Sequence, residues 1–70
     1  MPLSLAKMGV PYTIIRIAGR EKEKHRLESM GLTPDTIVTI ISRFNRYIIL
    51  DVKGARIGIG AELAKKIILK

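Results

Sequence analysis

Side chains able to do chemistry are few in this chain, and their spacing narrows the chemistry further. His25 is the one histidine, cysteine is absent, and Asp and Glu together number 6. A transition-metal centre needs several imidazole, thiolate or carboxylate ligands converging on one point. His25 instead stands between Lys24 and Arg26, whose charges repel a cation, and it reads as a solvated helix residue. No metal site and no cofactor is assigned, and Met1, Met8 and Met30 read as start, loop and core residues. Nucleophilic catalysis needs a nucleophile within reach of a base that a third group orients. The lone histidine has no such partner in sequence, so the chain is not read as an enzyme. The glycine-rich "GIGAELAKK" lacks the spacing and the Gly-Lys-Ser/Thr ending of a phosphate loop. The "EKEK" of Glu21 to Lys24 supplies helix-neighbour pairs, Glu21 with Lys24 and Lys24 with Glu28, each worth about a few tenths of a kcal/mol.

Binding remains. Lys and Arg number 13 against 6 acids, a net charge of +7, which favours nucleic acid, an anionic membrane face or an acidic protein. The cations are spread from Lys7 through Arg16, Arg43 and Lys53 to Lys70, so no single basic stripe stands out. Single-stranded nucleic-acid sites combine cations with several exposed aromatic platforms. Only Tyr12, Phe44 and Tyr47 are available, and "RFNRY" is the one segment that pairs stacking candidates, Phe44 and Tyr47, with phosphate contacts, Arg43 and Arg46. A hairpin turn shielded by its own aromatics is the simpler reading of that segment. RNA or single-stranded DNA binding is kept as the second reading.

These residues must be positioned by a small scaffold. At 70 residues the chain is one domain, and a chain of that size buries only about 60% of its unfolded surface. With 47% apolar residues and no disulfide or closed zinc site, the core must be tightly packed aliphatic side chains. The stretch Met1 to Val10 lacks the pattern of a signal peptide, and no apolar run approaches the roughly 18 residues of a membrane span. A cytosolic chain, complete from Met1, is the expectation.

Tyr12 to Ile17 is rich in β-branched residues and predicts a strand, with a bulge in "IIRI". "REKEKHRLESMG" predicts a helix after a cap at Gly19, with Glu21 in its first turn and Leu27 and Met30 as a narrow apolar face. Gly31 closes that helix in the left-handed region, Leu32 folds back onto Leu27, and Pro34 prevents continuation. "TIVTIISR" points Val38 and Ile40 inward, "YIILDV" points Ile48, Leu50 and Val52 inward, and "ARIGI" points Ile57 and Ile59 inward. Asn45 and Gly54 tolerate positive φ at the two hairpin turns. "GAELAKK" predicts one or two helical turns, and "KIILK" a last strand with Ile67 and Leu69 inward. The expected fold is mainly β: a small, highly curved barrel of about five strands, with an α-helix inserted after the first strand and a short helical turn before the last.

"RLESMGLTPDT", with the opening "PLSLAKMG" and the closing "VKGARIGIGAELAKKIIL", resembles the FeoA family, small SH3-like barrel proteins that accompany the bacterial ferrous iron permease FeoB. The likeness covers nearly the whole chain, residues 1–70 as a single domain. Its most specific part is Arg26, Leu27, Met30, Gly31, Leu32 and Pro34, while Leu3-Ser4-Leu5, Gly54, Ala64 and Ile67 match less exclusively. One position departs: the family usually has glycine after the proline, and Asp35 stands here, a residue that adopts such a turn at some cost. The resemblance implies a non-enzymatic cytosolic accessory of ferrous iron uptake, in the setting of transition metal ion binding, that docks on the FeoB-type permease and is recruited by it to the inner face of the membrane. The barrel also resembles the C-terminal docking domain of iron-dependent repressors.

The residues offer a docking surface of their own. Ile37 and Ile41 point outward from one strand and Tyr47 and Ile49 from its neighbour, within contact range of each other. With Arg43, Arg46 and Lys53 around them they form an apolar patch with a basic rim, the anatomy of an interface. The competing expectation is that the helix or the N-terminal segment covers these side chains.

Overall fold

Period-two runs of aliphatic residues form the strands, and the computed structural model describes every residue from Met1 to Lys70. A short 3-10 turn, Leu3–Leu5, leads into β1 (Pro11–Ile17), α1 (Glu21–Ser29), β2 (Ile37–Phe44), β3 (Tyr47–Val52), β4 (Ala55–Gly60), α2 (Ala61–Ala64) and β5 (Ile67–Leu69). The five strands pair antiparallel in the order β4-β3-β2-β1-β5. Val38, Ile40, Ile48, Leu50, Val52, Ile59, Ile67 and Leu69 are all buried, as their alternation predicts, and Ile57 is half-buried against the same core. Because one face of all five strands meets a single cluster, the sheet curls around it, and the molecule measures only 28 × 24 × 22 Å. Leu3, Ala6, Leu27, Leu32 and Ala64 close the ends of that core.

Two bulges shape the curl. Ile15 is the extra residue where β1 pairs with β5, between Ile14↔Leu69 and Arg16↔Ile68, in the "IIRI" run. Ile41 is the extra residue where β2 pairs with β3, between Ile40↔Leu50 and Ser42↔Ile49. The outer edge of β5 is covered by the start of the chain: Pro2 bridges Ile68, and the Met1 nitrogen donates to the Leu69 carbonyl at 2.6 Å.

The cap of α1 falls one residue later than Gly19, at Arg20, whose backbone N–H donates to Glu23 Oε1 at 3.1 Å. The end of the helix follows its sequence closely. Gly31, at φ 87°, donates to the Glu28 carbonyl at 2.9 Å, and Leu32 N–H donates to the Leu27 carbonyl at 3.0 Å. That double bond is the Schellman closure, with its usual apolar contact supplied by Leu27 and Leu32, both fully buried.

Thr33 to Asp35 then turns the chain into β2. Thr36 N–H donates to the Thr33 carbonyl at 3.2 Å, and Asp35 sits at φ 73°. Proline at the second position and positive φ at the third are the pattern of a type II turn, which favours glycine at the place Asp35 holds. No hydrogen bond from the Asp35 carboxylate offsets the strain of an L-residue there. Asp35→Gly is expected to raise stability by roughly 0.5 to 1 kcal/mol, the relief of strain exceeding the added freedom of the unfolded chain. Chemical denaturation measures it, and a lowered midpoint would show that Asp35 is not strained.

Candidate functional site

The outward face of β2 and β3 is assembled by cross-strand pairing. Thr39 pairs with Asp51, Ser42 with Ile49 and Phe44 with Tyr47, each pair sharing one side of the sheet. β4 extends the same side through Arg56 opposite Asp51, Gly58 opposite Ile49 and Gly60 opposite Tyr47. Ile37 is 57% exposed, Phe44 56%, Tyr47 45% and Ile41 41%, while Ile49 is half-buried among them. The helix α1 does not cover this face. It turns Leu27 and Met30 to the core, and the N-terminal segment runs past β5 at Ile68 and β2 at Ile40 while leaving Ile37, Ile41, Phe44 and Tyr47 exposed.

The structure brings together only part of the surface expected from alternation. Phe44, Tyr47 and Ile49 are neighbours, and the Phe44 and Tyr47 rings lie 6.2 Å apart at a 39° tilt. Ile37 stands apart, separated by the Thr39–Asp51 pair, and borders a cavity of about 600 Å³ lined by Thr33, Asp35, Thr36, Asp51 and Lys53. Arg46 and Lys53 occupy the turns at opposite ends of β3 and so do flank the face. Lys53 and Gly54, at φ 53° and 85°, form the two-residue left-handed turn between β3 and β4.

Arg43 is placed differently from the rim position that alternation predicts. The residue added at Ile41 reverses the side-chain order after it, so Arg43 pairs with the buried Ile48 and shares its side. Its guanidinium donates to the Ser4 carbonyl at 3.0 Å and to the Ala6 carbonyl, tying the N-terminal segment to β2. The same reversal brings Phe44 to the outer face. By type and spacing Phe44 reads only as a nucleic-acid stacking candidate, and the bulge is the signal that places it on this face.

Tyr47 packs into the space left by a missing side chain. A Cβ at Gly58 would lie 2.5 Å from Tyr47 Cε2 and 2.9 Å from its hydroxyl oxygen, so the ring lies flat across β4 where only glycine leaves room. Gly58→Ala is expected to swing the ring off β4 and to cost up to about 1 kcal/mol, the worth of an aromatic cross-strand contact. Loss of ring-to-β4 nuclear Overhauser effects would register the movement, and unchanged effects would contradict this packing.

No three His, Cys, Asp or Glu side chains come together anywhere in the chain, and His25 lies exposed on α1. The arrangement presents apolar and aromatic surface rather than a ligand cage or a nucleophile with its base.

Five short antiparallel strands curled on an aliphatic core, interrupted by one helix after the first strand, define a small SH3-like β-barrel. The family model for the FeoA domain matches residues 1–70, and the chain belongs to that family. The crystal structure of an iron uptake regulatory protein, FeoA, superposes with a TM-score of 0.92 at 31% identity, covering 100% of this chain and 95% of that one. The FeoA-like protein from Clostridium acetobutylicum matches with a TM-score of 0.90 at 19% identity, over 100% of this chain and 84% of that one. A manganese-dependent transcriptional repressor shares the fold, with a TM-score of 0.93 at 20% identity, this chain spanning 35% of its length. No curated protein matches the sequence significantly. Membership of the FeoA family carries an accessory role in ferrous iron transport. No helix is long and apolar enough to cross a membrane.

Proposed function

We propose that this chain, acting as one docking domain over residues 1–70, is a non-enzymatic cytosolic accessory that binds the FeoB-type ferrous iron permease and is thereby recruited to the inner face of the membrane. The contact is made by protein surface, through Ile41, Phe44, Tyr47 and Ile49, with Ile37, Arg46 and Lys53 at the margins. The observation that carries this reading is an uncovered apolar face on β2 and β3 whose Tyr47 ring lies across Gly58 on β4. Aromatic and aliphatic groups with cations at the edge are the usual anchors of protein interfaces. The nucleic-acid reading is weakened because Arg43, one of its two phosphate contacts, is engaged by the Ser4 and Ala6 carbonyls.

Titrating isotope-labelled protein with the soluble cytosolic region of the permease from the same organism tests the reading. Chemical-shift changes clustered on Ile41, Phe44, Tyr47 and Ile49 are expected. Changes confined to another face, or none at high protein concentration, would refute docking on that region through this surface. A salt-sensitive response to single-stranded RNA at Phe44 and Tyr47 would favour the nucleic-acid reading instead.

A further inference from the structure

The segment before β1 presents a second apolar surface, which meets β2 at Ile40. Five of the nine exposed large apolar side chains, Met1, Leu5, Met8, Val10 and Ile15, fall within the first 15 residues. Leu5 is 71% exposed, the most of any of them, and Met8 is 56% exposed. Flexibility does not account for that exposure. Leu3 and Ala6 are anchored in the core beneath, Arg43 holds the Ser4 and Ala6 carbonyls, Lys7 N–H donates to the Tyr12 hydroxyl at 3.2 Å, and Gly9 N–H donates to the Ile40 carbonyl at 2.9 Å. A network of this kind fixes the backbone while leaving Leu5 and Met8 in water. The arrangement suits a partner that takes up the two side chains without further ordering.

Charge and the apolar groups together narrow the partner. The chain has no carboxylate before Glu21, whereas Lys7 stands between Leu5 and Met8, and Arg16 lies in the cross-strand row that runs through Ile68 to Pro2. The one carboxylate on α2, which packs against the Leu3–Leu5 turn, is Glu62, and it pairs with Lys65 at 3.6 Å. Apolar side chains interleaved with cations, on a net charge of +7, match the boundary between acyl chains and anionic headgroups. Leucine and methionine enter the apolar layer while the lysine stem extends to the phosphates. We infer that the Leu5–Val10 turn is a membrane-contact wedge that binds the surface of an anionic bilayer directly, with Leu5 and Met8 as the inserted groups and Lys7 and Arg16 as headgroup contacts. The wedge borders the permease-docking face at β2, where Met8 bridges Ile40 beside Ile41, but its inserted groups, Leu5 and Met8, are not among the docking residues.

Co-sedimentation of the full chain with vesicles tests this. The protein is expected to pellet with vesicles of phosphatidylcholine and phosphatidylglycerol in equal parts, and not with phosphatidylcholine alone, the bound fraction falling as salt is raised. The double variant Leu5→Ser/Met8→Ser is expected to lose about tenfold or more in partitioning while keeping its melting temperature. If the double variant melts early, Leu5→Ser alone, at the most exposed position, is read in its place. Ile37→Glu, on the sheet face, is expected to leave partitioning within about threefold, the modest effect of one surface charge near lipid. No binding to anionic vesicles, or equal binding by the serine variants, would overturn the proposal. A lipid-independent contact of Leu5 and Met8 with the permease's cytosolic region, without vesicle binding, would also overturn it and assign the wedge to a protein.

Discussion

Leu27→Ala is expected to destabilise the barrel by about 2 to 5 kcal/mol, the range for emptying a fully buried leucine site. Leu27 is the principal side chain by which α1 enters the core, and it is completely inaccessible. Its carbonyl also accepts the Leu32 N–H that closes the helix, and the two leucines pack at that junction. Truncation therefore leaves a cavity at the point where the chain is re-aimed into β2, where the Schellman turn limits collapse around it. For a chain of 70 residues such a loss is a large share of total stability. It is expected to lower the melting temperature by roughly ten degrees or more. Thermal unfolding followed by circular dichroism measures the effect, and an unchanged midpoint would remove Leu27 from that role.

Ile49→Glu is expected to weaken docking roughly thirtyfold or more while leaving the barrel folded. Ile49 sits at the middle of β3, between Ser42 on β2 and Gly58 on β4, next to the Tyr47 ring, so a carboxylate there is placed at the centre of the apolar face. Desolvating that charge on association, with no cation directly opposite, is expected to weaken binding by about 2 kcal/mol or more, roughly thirtyfold in Kd. The strand itself loses less, about 1 kcal/mol, because Ile49 is only half-buried. Calorimetric titration with the permease's cytosolic region, beside a circular dichroism melt, separates the two effects. Unfolding of the variant would make Ile49 a core residue, and full affinity would move the contact off this face.

The inward residues of β2 to β5 were legible because alternation has a period of two and one face of each strand must leave water. The helix stop was legible for a local reason: Gly31, Leu32 and Pro34 act on neighbours within a few residues, and the bonds from Gly31 to Glu28 and from Leu32 to Leu27 are what those types demand. Asp35 also declared its strain in sequence, as a residue with a Cβ where the resemblance puts glycine, and its φ of 73° bears that out.

The composition of the outer face was less legible. Strict alternation from Ile37 places Arg43 outside and Phe44 inside, and the bulge at Ile41 exchanges them. Whether a strand carries an extra residue depends on how its partner must bend to close the barrel, and that is settled by long-range packing rather than by the types in "TIISRF". Gly58 likewise carries no local sign that it makes room for a tyrosine from the neighbouring strand. By itself the sequence determined the number and order of elements, the inward apolar residues of β2 to β5, the helix stop and the family, because each depends on spacing along the chain. Only the tertiary structure decided that Arg43 secures the N-terminal segment, that Phe44 joins Tyr47 and Ile49, that Ile37 stands apart and that Leu5 and Met8 are held in solvent. Those outcomes depend on contacts between residues far apart in sequence, and a one-residue slip in pairing changes every side chain beyond it.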